Sequence, residues 1–160
     1  MNILIRKAVK EDMDKIFLMY KDQTILHYDL DPDYYAALAP DEKEQFEKYF
    51  TKALSSHEPY FFVAEVDGVI VGFSTFKKSQ AANDDSHIKE YCYLLELFVK
   101  EEYRKHGIGQ KLLEGVEKYC KEEGIYYVRL EVSPRNENAV QFYNDYGFVN
   151  HVDVMYKKIT

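Results

Sequence analysis

Twelve residues, Lys100 to Lys111 (KEEYRKHGIGQK), bring together side chains suited to chemistry. Arg104, Lys105 and His106 stand directly before Gly107, Ile108, Gly109 and Gln110, at the point where an apolar run gives way to helix-like sequence. Glycines at such a junction let the backbone curl until several N–H groups point at one spot, and the positive end of the following helix adds to them. That arrangement suits phosphate oxygens. The alternative is a plain loop leading into a helix. Charge sharpens the choice. The 160-residue chain has 21 Lys and Arg against 28 Asp and Glu, a net charge of −7. Residues 100–111 hold four basic and two acidic side chains, leaving 17 basic and 26 acidic elsewhere, a net −9. An acidic protein has concentrated positive charge in one short stretch. This describes a local anion site and argues against a nucleic-acid surface.

The two common nucleotide loops fit poorly. The dinucleotide fingerprint needs a third glycine where Leu112 stands, and the ATP-type loop needs a Gly-Lys-Ser/Thr ending that the chain lacks. A second chemical candidate is Glu96, the one charge inside YCYLLELFV (Tyr91–Val99). A carboxylate among apolar neighbours has a raised pKa and can accept a proton. Equally, it can lie on a cleft face and only attract a cation. His27, His57, His87 and His151 have neither the spacing nor the neighbours of a metal site. Cys92 and Cys120 form no CxxC pattern and read as reduced thiols, which implies a cytoplasmic protein. Cys120 falls on an apolar helix face, and Cys92 could line a cleft. The N-terminal MNILIRKAVKED meets charge at its sixth residue, so neither a signal peptide nor a membrane anchor is expected.

The elements that must position these residues follow from periodicity. ILIRKAV reads as a strand. Met13, Ile16, Phe17 and Tyr20 recur at helical spacing, giving a helix near 11–24. Two prolines break the pattern in DLDPDYYAALAPDE, and Phe46 to Leu54 resume it as a second helix. YFFVAEV, Asp-Gly and VIVGFSTF form a hairpin signal, because Asp-Gly tolerates positive φ. A polar loop then leads to strand 91–99, apolar on both faces and so central. Ile108 to Cys120 mark a third helix with Gly124 as its stop, 125–132 a strand, and SPRNENAVQFYNDYGF a turn, a short helix and a terminal Gly147. HVDVMYKKI alternates as a last strand. The order β-α-α-β-β-β-α-β-α-β predicts one α/β domain over residues 1–160.

The strand LLELFV followed by KEEYRKHGIGQKLLEGVEKY resembles the acyl-CoA signature of the GNAT superfamily of N-acetyltransferases. Its pattern, Arg/Gln-x-x-Gly-x-Gly/Ala, is matched from Arg104 to Gly109. A second block, Asn-x-x-Ala-x-x-x-Tyr-x-x-x-Gly-Phe, is matched by Asn136, Ala139, Tyr143, Gly147 and Phe148. The resemblance implies a mixed, mostly antiparallel sheet of six to seven strands, with helices on both faces and splayed central strands at 91–99 and 125–132. Acetyl-CoA would be the acyl donor, without a metal. Its pantetheine would pair with the backbone from Phe98 through Val99 to Lys100, and its pyrophosphate would rest on the amides of Arg104, Lys105, His106, Gly107, Ile108, Gly109 and Gln110. Asn136 and Asn138 would hydrogen-bond pantetheine or cap the short helix, and His106 would touch phosphate or lie exposed.

By the same resemblance, Tyr143 protonates the departing sulfur and a backbone N–H near Val99 holds the carbonyl oxygen; Glu96, from its apolar flanks, takes the amine proton through water or only attracts a cationic substrate. The competing reading of Tyr143 is a core aromatic beside Phe142, Tyr146 and Phe148. The implied activity is acetyl transfer to a primary amine; a catalytically inactive acyl-CoA-binding module or sensor is the alternative, and it would need neither Tyr143 nor Glu96. Acidic segments at 22–35, 39–50 and 79–90, the first two with tyrosines, suit a cationic acceptor such as a polyamine or aminoglycoside, or else serve solubility. A small-molecule amine is expected ahead of a protein amine, with no nucleic-acid or membrane partner, in a monomer or homodimer.

Overall fold

The computed structural model describes residues 2–81, 86–157 and 159. Residues 82–85 of the acidic 79–90 segment, and Lys158 of the anticipated last strand, lie outside them. Five strands form one sheet in chain order: β1 (Ile3–Lys7), β2 (Tyr60–Val66), β3 (Val69–Gln80), β4 (Glu90–Val99) and β5 (Val128–Arg129). Neighbours are antiparallel except β4 and β5, which are parallel. The Asp-Gly hairpin closes as expected: Asp67 has φ 48° and Gly68 has φ 85°, the positive values a two-residue turn of primed type needs.

Both faces of β2 are buried, as befits an interior strand paired on both edges. Phe61 and Val63 face one layer, while Phe62, Ala64 and Val66 face the other. Helices α1 (Met13–Leu30) and α2 (Glu42–Ser56) cover the first face with Ile16, Met19, Phe46, Phe50 and Ala53. Helix α3 (Ile108–Glu122) covers the second with Leu112, Leu113, Val116 and Tyr119, and α4 (Glu137–Tyr146) adds Phe142, Tyr143 and Tyr146 to that layer. Both helices past the sheet's centre end alike. Ile125 N–H reaches back to Cys120 O (2.8 Å) around Gly124, and Phe148 N–H reaches back to Tyr143 O (2.9 Å) around Gly147. The two glycines have φ of 75° and 110°, the left-handed conformation that such helix ends require.

Three expectations are corrected. Among the described residues the sheet has five strands rather than six or seven. Of the strand anticipated at 125–132, only Val128–Arg129 joins a ladder, and residues 149–157 form no strand; Val152 and Met155 there are 72% and 91% exposed. Alternation says which side of a strand would be apolar but not whether a neighbour stands in register beside it. Finally, Cys92 and Cys120 are joined as a disulfide, their Cα atoms 6.4 Å apart. Cys92 points from β4 into the α3 layer, where the apolar face of α3 presents Cys120. Sequence spacing carries no trace of that meeting, and a compartment read from free thiols loses its basis.

A two-pronged ion pair anchors the entry to α1. Arg6 on β1 reaches Asp12 through Nη1–Oδ2 (2.7 Å) and Nη2–Oδ1 (3.0 Å), and Val9 N–H donates to the same carboxylate (2.9 Å). Burial pushes the Asp12 carboxyl up, but the bonds from Arg6 and Val9 and the Arg6 charge outweigh it and hold the carboxyl below its usual value. Stabilisation from a depressed folded pKa is complete above the unfolded pKa and disappears as pH falls through the folded one. Asp12→Asn is therefore expected to cost about 2–3 kcal/mol at pH 7. Urea denaturation checks this, and the gap between variant and parent should close below about pH 3.9.

Candidate active site

The site begins with an incomplete ladder. Strand β4 pairs with β3 along its whole length but with β5 only at Cys92–Val128 and Tyr93–Arg129. Beyond Tyr93 the two strands separate, as the splayed arrangement requires. Just past that point the β3–β4 register slips: Thr75 faces Glu96 and Phe76 faces Leu94, so Leu95 is an extra residue on β4. Such a bulge reverses the parity of the strand. Cys92 and Leu94 point toward α3 before it, Leu97 and Val99 after it. Glu96 is thereby turned to the α1–α2 side, where it lines a cavity of about 310 Å³ together with Leu95, Thr75, Tyr20 and Tyr49.

Glu96 is only partly exposed, and burial raises its carboxyl to about 7 against the opposing hydrogen bond from Gln23. Its charge adds to the elevation of four phenols in which burial is the larger cause: Tyr20 on α1, Tyr35 in the 31–41 segment, Tyr49 on α2 and Tyr143 on α4. One acid thus stands within electrostatic reach of four elements. Tyr143 packs edge-on against Phe142 (5.2 Å between centroids) and Phe148 (5.5 Å), so it is part of the apolar layer while its hydroxyl senses Glu96.

At the far end of β4, Lys100 N–H donates to Val71 O (2.9 Å) on the β3 side. Backbone groups alternate between the edges of a strand, so Val99 presents its N–H and C=O to the gap. Arg104 Nε donates to that Val99 carbonyl (2.9 Å), and its guanidinium lies over the Phe98 ring at 5.6 Å. Lys105 (φ 63°) and Gly107 (φ 76°) then turn the chain left-handed into α3. His106 is exposed, its Nδ1 2.7 Å from Arg104 O. The first bond of α3 runs from Lys111 N–H to Gly107 O (3.0 Å), which leaves the amides of Ile108, Gly109 and Gln110 without an intrahelical acceptor. The residues anticipated at the phosphate loop are therefore contiguous around one helix N-terminus.

Gly109 has a further reason to be glycine. A Cβ there would lie 3.1 Å from Cζ of Phe142, so the missing side chain seats α4 against α3. In α4, Asn136 is the cap: its side chain accepts from Ala139 N–H (3.2 Å), while Asn138 is exposed in the first turn. Three neighbours of Glu96 and β4 escaped the sequence reading. Gln23 and Thr75 are polar residues buried at helix and strand positions that periodicity assigns to core. Gly72 lies where a Cβ would meet Phe98 O at 2.8 Å; a glycine inside a strand was a usable signal for that close approach. Among the described residues no group of three or more His, Cys, Asp and Glu could hold a metal ion, and no helix is long and apolar enough to cross a membrane.

Comparison with known proteins agrees with this geometry. Residues 19–148 match the acetyltransferase (GNAT) family, and the chain belongs to it. An uncharacterized N-acetyltransferase of Methanocaldococcus jannaschii is 31% identical over 144 residues, which cover 90% of this chain and 59% of that protein. The chain thus spans about three-fifths of that relative's length. An uncharacterized N-acetyltransferase of Archaeoglobus fulgidus is 32% identical over 139 residues, 87% of this chain and 88% of the relative. An aminoglycoside N-acetyltransferase solved in complex with CoA has the same fold, with a TM-score of 0.74 at 18% identity, covering 99% of this chain and 95% of that one.

The contact between Gly109 and Phe142 yields a prediction. Gly109→Ala gains helix propensity of up to about 1 kcal/mol but forces Phe142 outward. Thermal stability should change by only a few degrees, while amide hydrogen exchange in the capped turn 143–148 should rise. Adding Phe142→Leu should restore the slow exchange.

Proposed function

We propose that this chain, as a single domain over residues 1–160, transfers the acetyl group of acetyl-CoA directly to a primary amine. The observation that carries the reading is the open β4 edge, which runs from Glu96 to an amide-rich helix N-terminus and has Tyr143 within reach of the same carboxylate. The residues present fit the donor. The unpaired edge of β4 beyond Tyr93 suits the amide groups of pantetheine. The left-handed turn at Lys105 and Gly107 and the free amides at the start of α3 suit a pyrophosphate. Lys105 and the outer guanidinium nitrogens of Arg104 add positive charge, and the Arg104 Nε bond keeps that side chain beside the strand end.

Acetyl-CoA supplies an activated thioester. Glu96, titrating near 7, takes a proton from the amine directly or through a water, leaving a neutral nucleophile. The Val99 N–H faces the place where the carbonyl oxygen gathers negative charge. As the N–C bond forms and the C–S bond breaks, Tyr143 donates its hydroxyl proton to sulfur. Burial and the Glu96 charge keep that phenol protonated at neutral pH. Two protons leave the nitrogen. The first passes to Glu96 and on to solvent, and the second, released as the amide forms, replaces the one Tyr143 gives to sulfur, so the products are the amide, the CoA thiol and one proton. The acceptor enters from the α1–α2 side, where the cavity meets Glu96. Polyamines, aminoglycosides and protein amines are the classes to be told apart, with a small cationic amine the first expectation from the acidic surroundings.

Two measurements test this. Tyr143→Phe keeps the ring, so the fold and acetyl-CoA affinity should persist, while kcat should fall roughly 10²- to 10⁴-fold. A folded variant with unchanged kcat would remove Tyr143 from the chemistry. In the parent protein, kcat/KM should climb with pH through about 7 and then level, because the base must be ionised to act. Glu96→Gln should abolish that limb; a limb that survives the substitution assigns the base elsewhere. Calorimetric binding of acetyl-CoA without turnover of any amine would instead favour a binding module.

A further inference from the structure

The cavity beside Glu96 has features that narrow the acceptor. Its walls are the rings of Tyr20, Phe46, Tyr49 and Phe61 with the side chain of Leu95, and Phe46 alone contacts Phe17, Tyr20, Phe50 and Phe61. Two carboxylates reach it, but they are not equivalent. Glu42, at the start of α2, already accepts from Tyr20 Oη through Oε1 (3.1 Å) and from Ala39 N–H through Oε2 (3.1 Å), so it closes the α1–α2 connection. Glu96 has Gln23 behind it and its other side on the cavity.

Directly across the strand pair from Glu96 stands Thr75, which lines the same cavity and is 1% exposed. Among the described residues its Oγ1 has no hydrogen-bond partner. A buried hydroxyl without a partner is costly, and its place opposite a carboxylate, about 5 Å away between Cβ atoms, matches the span of one nitrogen bonded to both. The cavity is open on one side, and at about 30 Å³ for each water-sized group its 310 Å³ encloses on the order of ten heavy atoms of whatever it holds.

Resting on the transferase reading above, we infer that the acceptor presents a single primary amine on a compact apolar or aromatic body. The nitrogen is held between Glu96 and the Thr75 hydroxyl, and the body lies against Tyr20, Phe46, Tyr49 and Leu95. For a second cationic centre the cavity offers no carboxylate free of protein donors, since Glu42 already accepts from Tyr20 and Ala39. Loss of the amine proton to Glu96 leaves two N–H groups and a lone pair, one N–H still bonded to Thr75. The same chemistry exists in a free arylalkylamine and in the α-amine of a peptide that begins with Phe or Leu.

The test is a panel read by CoA thiol release, with amine affinity for the CoA-loaded protein measured by calorimetry. 2-Phenylethylamine, 3-methylbutylamine and peptides beginning Phe or Leu are compared with spermidine, kanamycin and a peptide beginning Ser. At least one apolar class should exceed spermidine and kanamycin by about tenfold or more in kcat/KM and should bind more tightly to the CoA complex. Thr75→Val, nearly isosteric, should lower kcat/KM for that amine about tenfold and leave acetyl-CoA affinity unchanged. Preference for phenylethylamine over the Phe peptide identifies a free amine, and the reverse a protein terminus; both support the inference. Acetyl-CoA binding combined with equal or better use of spermidine or kanamycin overturns it, as does Thr75→Val without effect, or a CoA complex that ignores every apolar amine. Failure to bind acetyl-CoA at all would sink the transferase reading itself, a separable result.

Discussion

Strand β4 has two edges, and only one of them is satisfied by protein. The β3 ladder accounts for the first at nine positions, whereas β5 accounts for two positions of the second. Exposed backbone donors and acceptors on a strand edge seek an extended partner. The remaining parts of the site are arranged around that need. The bulge at Leu95 turns a carboxylate to the opposite face just where the ladder lapses. The chain leaves the strand through a left-handed turn that aims the start of α3 along the same edge, and α4 brings a phenol over it. Without the early divergence of β5, the bulge would be a local irregularity and the helix N-terminus an ordinary loop exit.

The family's second sequence block has a physical explanation in this chain. Tyr143, Gly147 and Phe148 occupy the positions of a helix-terminating motif: the left-handed glycine lets Phe148 N–H return to Tyr143 O, and the two rings meet at 5.5 Å. The spacing Tyr-x-x-x-Gly-Phe therefore fixes a ring by the same device that ends the helix. Asn136 closes the other end through Ala139, so a ten-residue helix that is marginal alone is held at both termini. The hydroxyl group is presented by a side chain whose position is set by backbone geometry.

Much of this was readable from residue order. The hairpin at Asp67-Gly68, the helix faces of α2 and α3, the stops at Gly124 and Gly147 and the basic glycine loop all depend on neighbours within a few residues, and local spacing records them. Glu96 was recognisable as an acid inside an apolar run, although not the face it takes, because one extra residue at Leu95 decides that. Other features depend on which segments meet. The Cys92–Cys120 junction joins residues 28 apart, the shortness of β5 reflects a missing neighbour, and Gln23 and Thr75 matter only because α1 and β3 converge on Glu96. The alternation of HVDVMYKKI was a true local pattern with no partner to give it a ladder.

One contact also limits how chains of this kind can vary. Position 109 and the ring at position 142 compete for the same volume, with an added carbon only 3.1 Å from the ring. The family pattern admits glycine or alanine at the final position of the loop motif. In this chain that choice is tied to a residue thirty-three positions later, on another helix. Drift at one position is therefore conditional on the other, and lineages carrying alanine at 109 should carry a smaller or differently placed side chain at 142. Two short motifs that look like independent signatures thus share one piece of space.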